Sequence, residues 1–170
     1  MGPDTCVGGI TLAGVITLST ASVNNIGTIT NSGITATNVI SGGVGANVTA
    51  ITENSTTSAL TISTAALTVN SGGTTLTNSN ASGAALLTVS GGVTGTGNLV
   101  LNNNSAIANG ITVSGTSVNN TGTVTNSGTG GGATPISAII GSNVTGVVQN
   151  SATSQLTLSG VNTFTGGVAI

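Results

Sequence analysis

The chain has 170 residues with no lysine, arginine or histidine, and its only acidic side chains are Asp4 and Glu53. Ordinary soluble domains are about 25% charged, so this composition argues against histidine-based catalysis and against nucleic-acid binding through basic patches. What remains is Thr, Asn, Ser, Gly and small aliphatic residues, with Phe164 as the single aromatic residue. This composition predicts a structural β protein with a narrow core.

Intrinsic disorder and helix are both disfavoured. Disordered chains combine low hydrophobicity with high net charge, whereas the mean hydropathy here is +0.47 and the net charge is −2. The abundant Thr, Val, Asn and Gly are mediocre or poor helix formers. We therefore expect short strands joined by tight turns.

Along the chain, apolar residues alternate with Thr in short runs, which places two aliphatic side chains on one face of a strand and Thr on the other. The runs lie at residues 9–12, 15–18, 59–62, 98–101, 110–113 and 155–158. Turn clusters of Asn, Ser and Gly separate them, at residues 31–33, 41–43, 70–73, 90–92 and 126–128. Strands this short with corners this close predict a coil of β-strands.

The sequence also repeats itself. Residues 22–33 return as 117–128 with ten of twelve positions identical. Three further matches follow at an offset of 96, pairing 47–49 with 143–145, 54–55 with 150–151, and 58–63 with 154–159. The first match has an offset of 95, so one residue has been inserted between it and the later matches. Solenoids tolerate an insertion of this size at a corner. We expect one β-solenoid domain over 1–170, with a first unit of about 1–96, an incomplete second unit of about 97–170, and four or five coils per unit.

Neither acidic residue forms a catalytic pair. The repeat aligns Glu53 with Gln149, so that position is expected to need a polar hydrogen-bonding side chain rather than a charge. Asp4 lies in an N-terminal Gly-Pro-Asp-Thr segment, for which a turn or capping role is expected. With one cysteine and no calcium-binding glycine-aspartate loop, the sequence predicts no catalytic residues, no metal ligands and no cofactor. We expect the protein not to be an enzyme.

Residues 156–170, Leu-Thr-Leu-Ser-Gly-Val-Asn-Thr-Phe-Thr-Gly-Gly-Val-Ala-Ile, resemble the passenger-associated repeat of bacterial autotransporters. The family pattern reads Leu-x-Leu-x-Gly-x-Asn-Thr-aromatic-x-Gly-Gly-x-x-aliphatic. Residues 93–101 are similar to the Gly-x-Gly-x-Leu-x-Leu lead-in of the same proteins. The resemblance implies a right-handed parallel β-helix, here of about seven or eight coils, on the bacterial cell surface or outside the cell.

Stacked coils lie about 4.8 Å apart, so columns of like charges would repel one another, and a chain without charges suits stacking. Monomeric solenoids cap their open ends with charged or proline-bearing segments. Here Pro3 is the N-terminal candidate for a cap, and residues 165–170 carry no charge. We therefore expect an extracellular filament subunit whose partner is another copy of itself, with no nucleic acid and no membrane span.

Other interpretations stay open. The chain could be part of an autotransporter adhesin shaft, or contact carbohydrate or a cell surface through Asn and Thr. Thr-x-Thr runs at 28–30, 35–37 and 123–125 have the form used by ice-binding solenoids, although they do not recur at every coil. Cys6 is expected to be either a small buried residue or a cross-link between subunits. Asn-x-Ser/Thr sequons begin at Asn47, Asn54, Asn80, Asn103, Asn119 and Asn143.

Overall fold

A computed structural model describes residues 8–170, a range built of short strands and turns without a helix. All the strands pair in parallel and stack as a β-solenoid of about seven turns. The parallel β-solenoid predicted from the sequence is therefore confirmed. The predictions for Pro3, Asp4 and Cys6 concern residues that lie outside the described range.

The strands are two to six residues long. In chain order they are β1 (Ile10–Leu12), β2 (Thr17–Leu18), β3 (Gly27–Asn31), β4 (Asn38–Ile40), β5 (Val48–Glu53), β6 (Leu60–Ile62), β7 (Leu67–Val69), β8 (Thr74–Asn78), β9 (Leu87–Val89), β10 (Val93–Gly95), β11 (Leu99–Asn103), β12 (Ile111–Val113), β13 (Ser117–Val118), β14 (Thr123–Asn126), β15 (Thr134–Ile136), β16 (Ile139–Ile140), β17 (Gly146–Gln149), β18 (Leu156–Leu158) and β19 (Gly167–Ala169).

Three parallel sheets form the walls of the solenoid. The eight-stranded sheet has the order β1-β3-β5-β8-β11-β14-β17-β19, and the seven-stranded sheet the order β18-β15-β12-β9-β6-β4-β2. The four-stranded sheet, β16-β13-β10-β7, is extended by isolated bridges from Val44 to Val23 and to Leu67. Each coil contributes to all three walls in turn, because its neighbours in the sheets are the coils above and below.

The apolar-Thr-apolar runs explain the walls. In β6 and β12 the two aliphatic residues are buried and the central Thr61 or Thr112 is half-buried on the outer side. Alternation of period two sends successive side chains to opposite faces of a strand. The interior is consequently a single cluster of Ile, Leu and Val side chains contributed by every coil, with Phe164 packed against its margin.

Coil length varies mainly at the corners, and within the strands only the pair β3–β5 shifts its register by one residue, between Gly27 and Thr28. Register partners are 22 residues apart from Ile29 to Ile51, 25 apart from Ile51 to Leu76, and 21 apart from Val147 to Val168. The difference is absorbed by the turns, since the strand pairs themselves stay in parallel register. An insertion at a corner costs little because loop-closure entropy grows slowly with length.

In the eight-stranded sheet the polar residue that ends a strand moves to a different column after β11. Asn103 pairs with Asn78, but the next coil places Asn126 beside Leu101, two residues earlier. Gly128 then lies against Asn103, where an added Cβ would overlap the backbone of Asn103. The polar side chains that end these strands therefore form two separate columns along the axis.

Close stacking also sets demands on the backbone. Gly95 ends β10 with φ of +104°, and an added Cβ there would overlap the backbone of Val69 one coil below. Glycine adopts this conformation without steric cost. Among residues 8–170, the structure has no helix long and apolar enough to cross a membrane.

Candidate functional site

The most unusual chemistry of the solenoid lies inside it, where the eight-stranded sheet turns toward the seven-stranded sheet. Buried polar side chains end four successive strands in register, and they are Asn31, Glu53, Asn78 and Asn103. Buried polar groups cost free energy unless they are hydrogen-bonded. Each of these side chains indeed meets partners at the corner that follows its strand.

Asn31 has four hydrogen-bonding partners. Its Nδ2 donates to Oε2 of Glu53 at 2.7 Å and to the Ser58 carbonyl. Its Oδ1 accepts from Nδ2 of Asn38 at 2.7 Å and from the Gly33 amide at 3.1 Å. The side chain thereby joins two coils and two walls of the solenoid.

Glu53 is fully buried, and both of its carboxyl oxygens are engaged. Oε2 accepts from Asn31, and Oε1 accepts from the Ser55 amide at 2.7 Å. Desolvation raises the pKa of Glu53 to about 7, although the hydrogen bonds from Asn31 and from the Ser55 backbone act in the opposite direction. Burial dominates because no positively charged side chain exists in the sequence to offset it.

We call Asn31, Glu53, Ser55 and Ser58 the first corner. The second corner consists of Asn126, Gln149, Ser151 and Ser154, the residues that the sequence repeat aligns with them.

In the second corner, Nδ2 of Asn126 donates to Oε1 of Gln149 at 3.0 Å and to the Ser154 carbonyl at 2.6 Å. Nε2 of Gln149 donates to the carbonyls of Ser151 and Ser154, both at 2.8 Å. The two corners thus share the contact from Asn to the position of Glu53 or Gln149. They differ in whether that side chain can also donate.

A serine hydroxyl organises the turn in both corners. Oγ of Ser55 donates to the Gly33 carbonyl and accepts from the amides of Thr57 and Ser58, at 3.1 and 2.8 Å. Oγ of Ser151 donates to the Gly128 carbonyl and accepts from the amides of Thr153 and Ser154 at 3.2 and 2.7 Å. Each hydroxyl therefore connects two amides of its own turn to a carbonyl of the preceding coil.

In the column of Asn31, Glu53, Asn78 and Asn103, the last two side chains donate to backbone carbonyls. Asn78 donates to the carbonyls of Ala85 and Gly110, and Asn103 to that of Gly132 at 2.8 Å. A ladder of Asn amides bonded only to one another, as in cross-β arrays, is not formed at these positions. The reason is that backbone carbonyls of the corners point into the interior and accept the hydrogen bonds of these Asn side chains.

The Thr-x-Thr runs lie in different environments. Residues 28–30 belong to β3 and 123–125 to β14, whereas 35–37 form an exposed turn. On the outer face of the eight-stranded sheet, one column alternates Thr with smaller or apolar residues from coil to coil, in the order Thr28, Ala50, Thr75, Val100, Thr125 and Val148. Threonine therefore occupies this column at every second coil.

A cleft of about 390 Å³ opens at the corner before the eight-stranded sheet. Its lining includes Asn70, Thr74, Asn98 and Val100, none of which is charged. The Asn70 side chain already accepts from the Gly72 amide at 2.8 Å and donates to the Ala46 carbonyl. The lining can offer hydrogen bonds to a neutral polar ligand, and it holds no group for acid-base chemistry.

The sequons differ in accessibility. Asn47, Asn54 and Asn143 are exposed and Asn119 is half-buried. Asn80 and Asn103 are buried, so their side-chain amides face the interior. Only the exposed three present the amide to a modifying enzyme in the folded protein.

Within residues 8–170, no three side chains of His, Cys, Asp and Glu come together to form a metal-binding group. Comparison with protein-family models, with curated proteins and with solved structures gives no match. The class that the described residues define is a parallel β-solenoid with an uncharged wall and a hydrogen-bonded polar interior at its corners.

Proposed function

We propose that the protein is a structural, extracellular shaft, a subunit that stacks end to end with further copies of itself into a filament. The observation that carries the proposal is the uncharged parallel stack, in which every coil offers the same in-register strand edges to the next. Backbone pairing of this kind is the strongest template for adding another strand.

The coil that contains β18 and β19 supports the proposal. Within the described residues, β19 pairs with β17 on one side and with no strand on the other. Val168 pairs with the buried Val147 yet is 59% exposed, since no coil covers it. A coil added in the same register would bury Val168 and pair the outer edge of β19. Such a head-to-tail contact does not close and gives filaments.

Electron microscopy of negatively stained protein, with sedimentation at rising concentration, tests the proposal. Seven coils at about 4.8 Å make a subunit roughly 35 Å long, and we expect rods many times that length. A monodisperse single-chain particle at high concentration would contradict filament assembly.

Val168→Lys places a charge on the uncovered coil and is expected to shorten the rods. Ile34→Lys is the matched control, because Ile34 is 77% exposed in a turn between β3 and β4, on the side of the solenoid. Equal shortening by both variants would indicate that added charge acts through solubility and not through the coil edge.

The same fold supports a second function, that of a shaft segment in a longer adhesin chain, in which the covering coil belongs to the same polypeptide. The C-terminal residues that resemble the autotransporter repeat favour it. Phe164 packs against the core beside Ile140, whose carbonyl accepts from the amides of Thr163 and Phe164. Single particles from the 170-residue chain, together with longer particles when further coils are fused after Ile170, would support this function over filament assembly.

Ice binding is tested by thermal hysteresis of the purified protein. The outer face of the eight-stranded sheet has two columns that contain Thr. One is interrupted by Ala50, Val100 and Val148, so a flat two-column hydroxyl array is incomplete. The other is threonine over four coils, at Thr11, Thr30, Thr52 and Thr77, and continues with Asn102. We expect no hysteresis above that of an unrelated protein at equal concentration.

A further inference from the structure

Glu53 is an ionisable group enclosed by neutral ones. It ends β5, and the elements packed around it are β3 and β8 in the same sheet and β4 and β6 across the corner. None of these four strands contains a titratable or charged side chain. The elements that face Glu53 therefore supply no countercharge when it ionises.

The second corner indicates which protonation state fits the site. There Gln149 fills the equivalent position with a neutral side chain that accepts at one atom and donates at the other, with its Nε2 facing the carbonyls of Ser151 and Ser154. A protonated carboxyl has the same capacity, one acceptor and one donor. An ionised carboxylate would instead place a full charge, held only by the N–H groups of Asn31 and Ser55, in a buried position that a neutral amide side chain fills in the second corner.

We propose that Glu53 is a pH-sensitive latch, which in its protonated form holds the coils of β3 and β5 together through Asn31 and on ionisation loosens the first corner. The inference concerns the folded chain itself and does not depend on filament assembly. Ionisation would leave a charge in the interior, and a buried charge without a partner is strongly destabilising.

The direction of the pH effect follows from the raised pKa of Glu53, about 7 against an ordinary 4.5. Below the ordinary value the carboxyl is protonated in both the folded and unfolded chains, so the contribution to stability is complete. Between the two values only the folded chain keeps the proton, so stability falls as pH rises, and the loss is complete above pH 7. The folding equilibrium constant is expected to fall by about two orders of magnitude across this window.

The titration can be observed directly, because Glu53 is the only glutamate in the chain. Protein labelled with ¹³C-glutamate gives a single side-chain carboxyl resonance in NMR. We expect its midpoint near neutral pH in the folded protein and near the ordinary value in urea. A folded-state midpoint near the ordinary value would overturn the proposal.

Stability measured by urea unfolding, followed by circular dichroism between pH 4.5 and 9, gives a second and independent test. The wild type is expected to lose stability with rising pH, and Glu53→Gln to show little change over the same range. Gln149→Glu is the matched variant, which places a second carboxyl at the aligned position and is expected to increase the loss. Identical pH profiles for the wild type and Glu53→Gln would overturn the proposal, even if Gln149→Glu fails to fold.

Hydrogen exchange locates the effect. As pH rises, exchange at the Ser55 amide, which donates to Glu53, should accelerate beyond the intrinsic rate in the wild type but not in Glu53→Gln. Equal acceleration at the Ser154 amide of the second corner, which donates to Oγ of Ser151, would show global loosening and contradict a local latch.

Discussion

The first and second corners are built from the same residue types at the same sequence offsets, yet one contains the fully buried Glu53 and the other the half-buried Gln149. Asn31 and Asn126 make the same two kinds of hydrogen bond, one to this side chain and one to a serine carbonyl. The difference teaches that the corner requires an acceptor at this position. The second polar atom of the side chain can be an amide nitrogen that donates, as in Gln149, or a carboxyl oxygen that accepts from the Ser55 amide, as in Glu53.

The largest difference is expected when the core beside each corner is truncated. Ile51 and Val147 are aligned by the repeat and both are buried. Ile51→Ala is expected to cost about 4 kcal/mol and Val147→Ala about 2 kcal/mol, because the larger side chain leaves a larger cavity. Urea unfolding at constant pH measures both, and a larger cost for Val147→Ala would contradict the equivalence of the two positions.

Changing the asparagine to aspartate tests the electrostatic part of the comparison. Asn31→Asp places a second carboxyl within hydrogen-bonding distance of Glu53, whereas Asn126→Asp faces the neutral Gln149. At pH 8 we expect losses of about 3 kcal/mol and 2 kcal/mol respectively, since two neighbouring carboxyls cannot both ionise cheaply. The excess for Asn31→Asp should vanish below pH 4, and its persistence there would exclude charge repulsion as the cause.

Alanine substitutions at the aligned glycines Gly33 and Gly128 compare a steric clash with side chains to a steric clash with backbone. An added Cβ at Gly128 would lie under 3.0 Å from backbone atoms of Asn103, whereas at Gly33 it would meet the side chains of Ser58 and Asn38. Side chains can turn away and backbone cannot, so we expect about 2 kcal/mol for Gly128→Ala and about 1 kcal/mol for Gly33→Ala. Thermal unfolding of the two variants measures the difference, and equal costs would show that the coils can separate at Gly128.

The smallest effect is expected at the turn serines. Ser55→Ala removes a buried hydroxyl that joins a carbonyl of one coil to two amides of the next, and should cost about 1.5 kcal/mol. Ser151→Ala removes the same bonds from a half-buried site, where water can replace the hydroxyl, and should cost about 0.5 kcal/mol. Urea unfolding again compares them, and a larger cost at Ser151 would show that exposure does not set the order.

Pattern reasoning from the sequence was effective for the walls and weaker for the corners. The run Leu60-Thr61-Ile62 is a strand with its Thr outward because alternation alone dictates the faces of a strand. Asn78 and Asn103 bind carbonyls of later turns and do not form the amide-to-amide ladder that stacked Asn residues form in cross-β arrays. Those carbonyls come from residues far along the chain, and no local pattern places them there.

The displacement of the polar strand end from the column of Asn103 to that of Asn126 was equally hidden. The repeat aligns Asn126 with Asn31, yet Asn126 pairs with Leu101 and not with Asn103. The sequence offset shows which residues of the two repeat units correspond to each other. Which residues lie in the same column of the sheet depends instead on the summed lengths of the turns between them. The shift became visible only when the coils were stacked.

By itself the sequence determined a chain with only two charged side chains, short alternating strands and tight corners, and hence a parallel solenoid, because period-two alternation and turn residues act over a few neighbours. Only the tertiary structure decided that Glu53 is enclosed, that Asn31 and Ser55 hold it, and that Gly128 meets the backbone of Asn103. The contact of Asn31 with Glu53 and that of Gly128 with Asn103 join residues 22 and 25 positions apart, a separation set by coil length and register, whereas Ser55 is a local partner whose role depends on the burial of Glu53. The pKa of Glu53 is raised for the same reason, since burial is a property of the stacked coils and not of the residue.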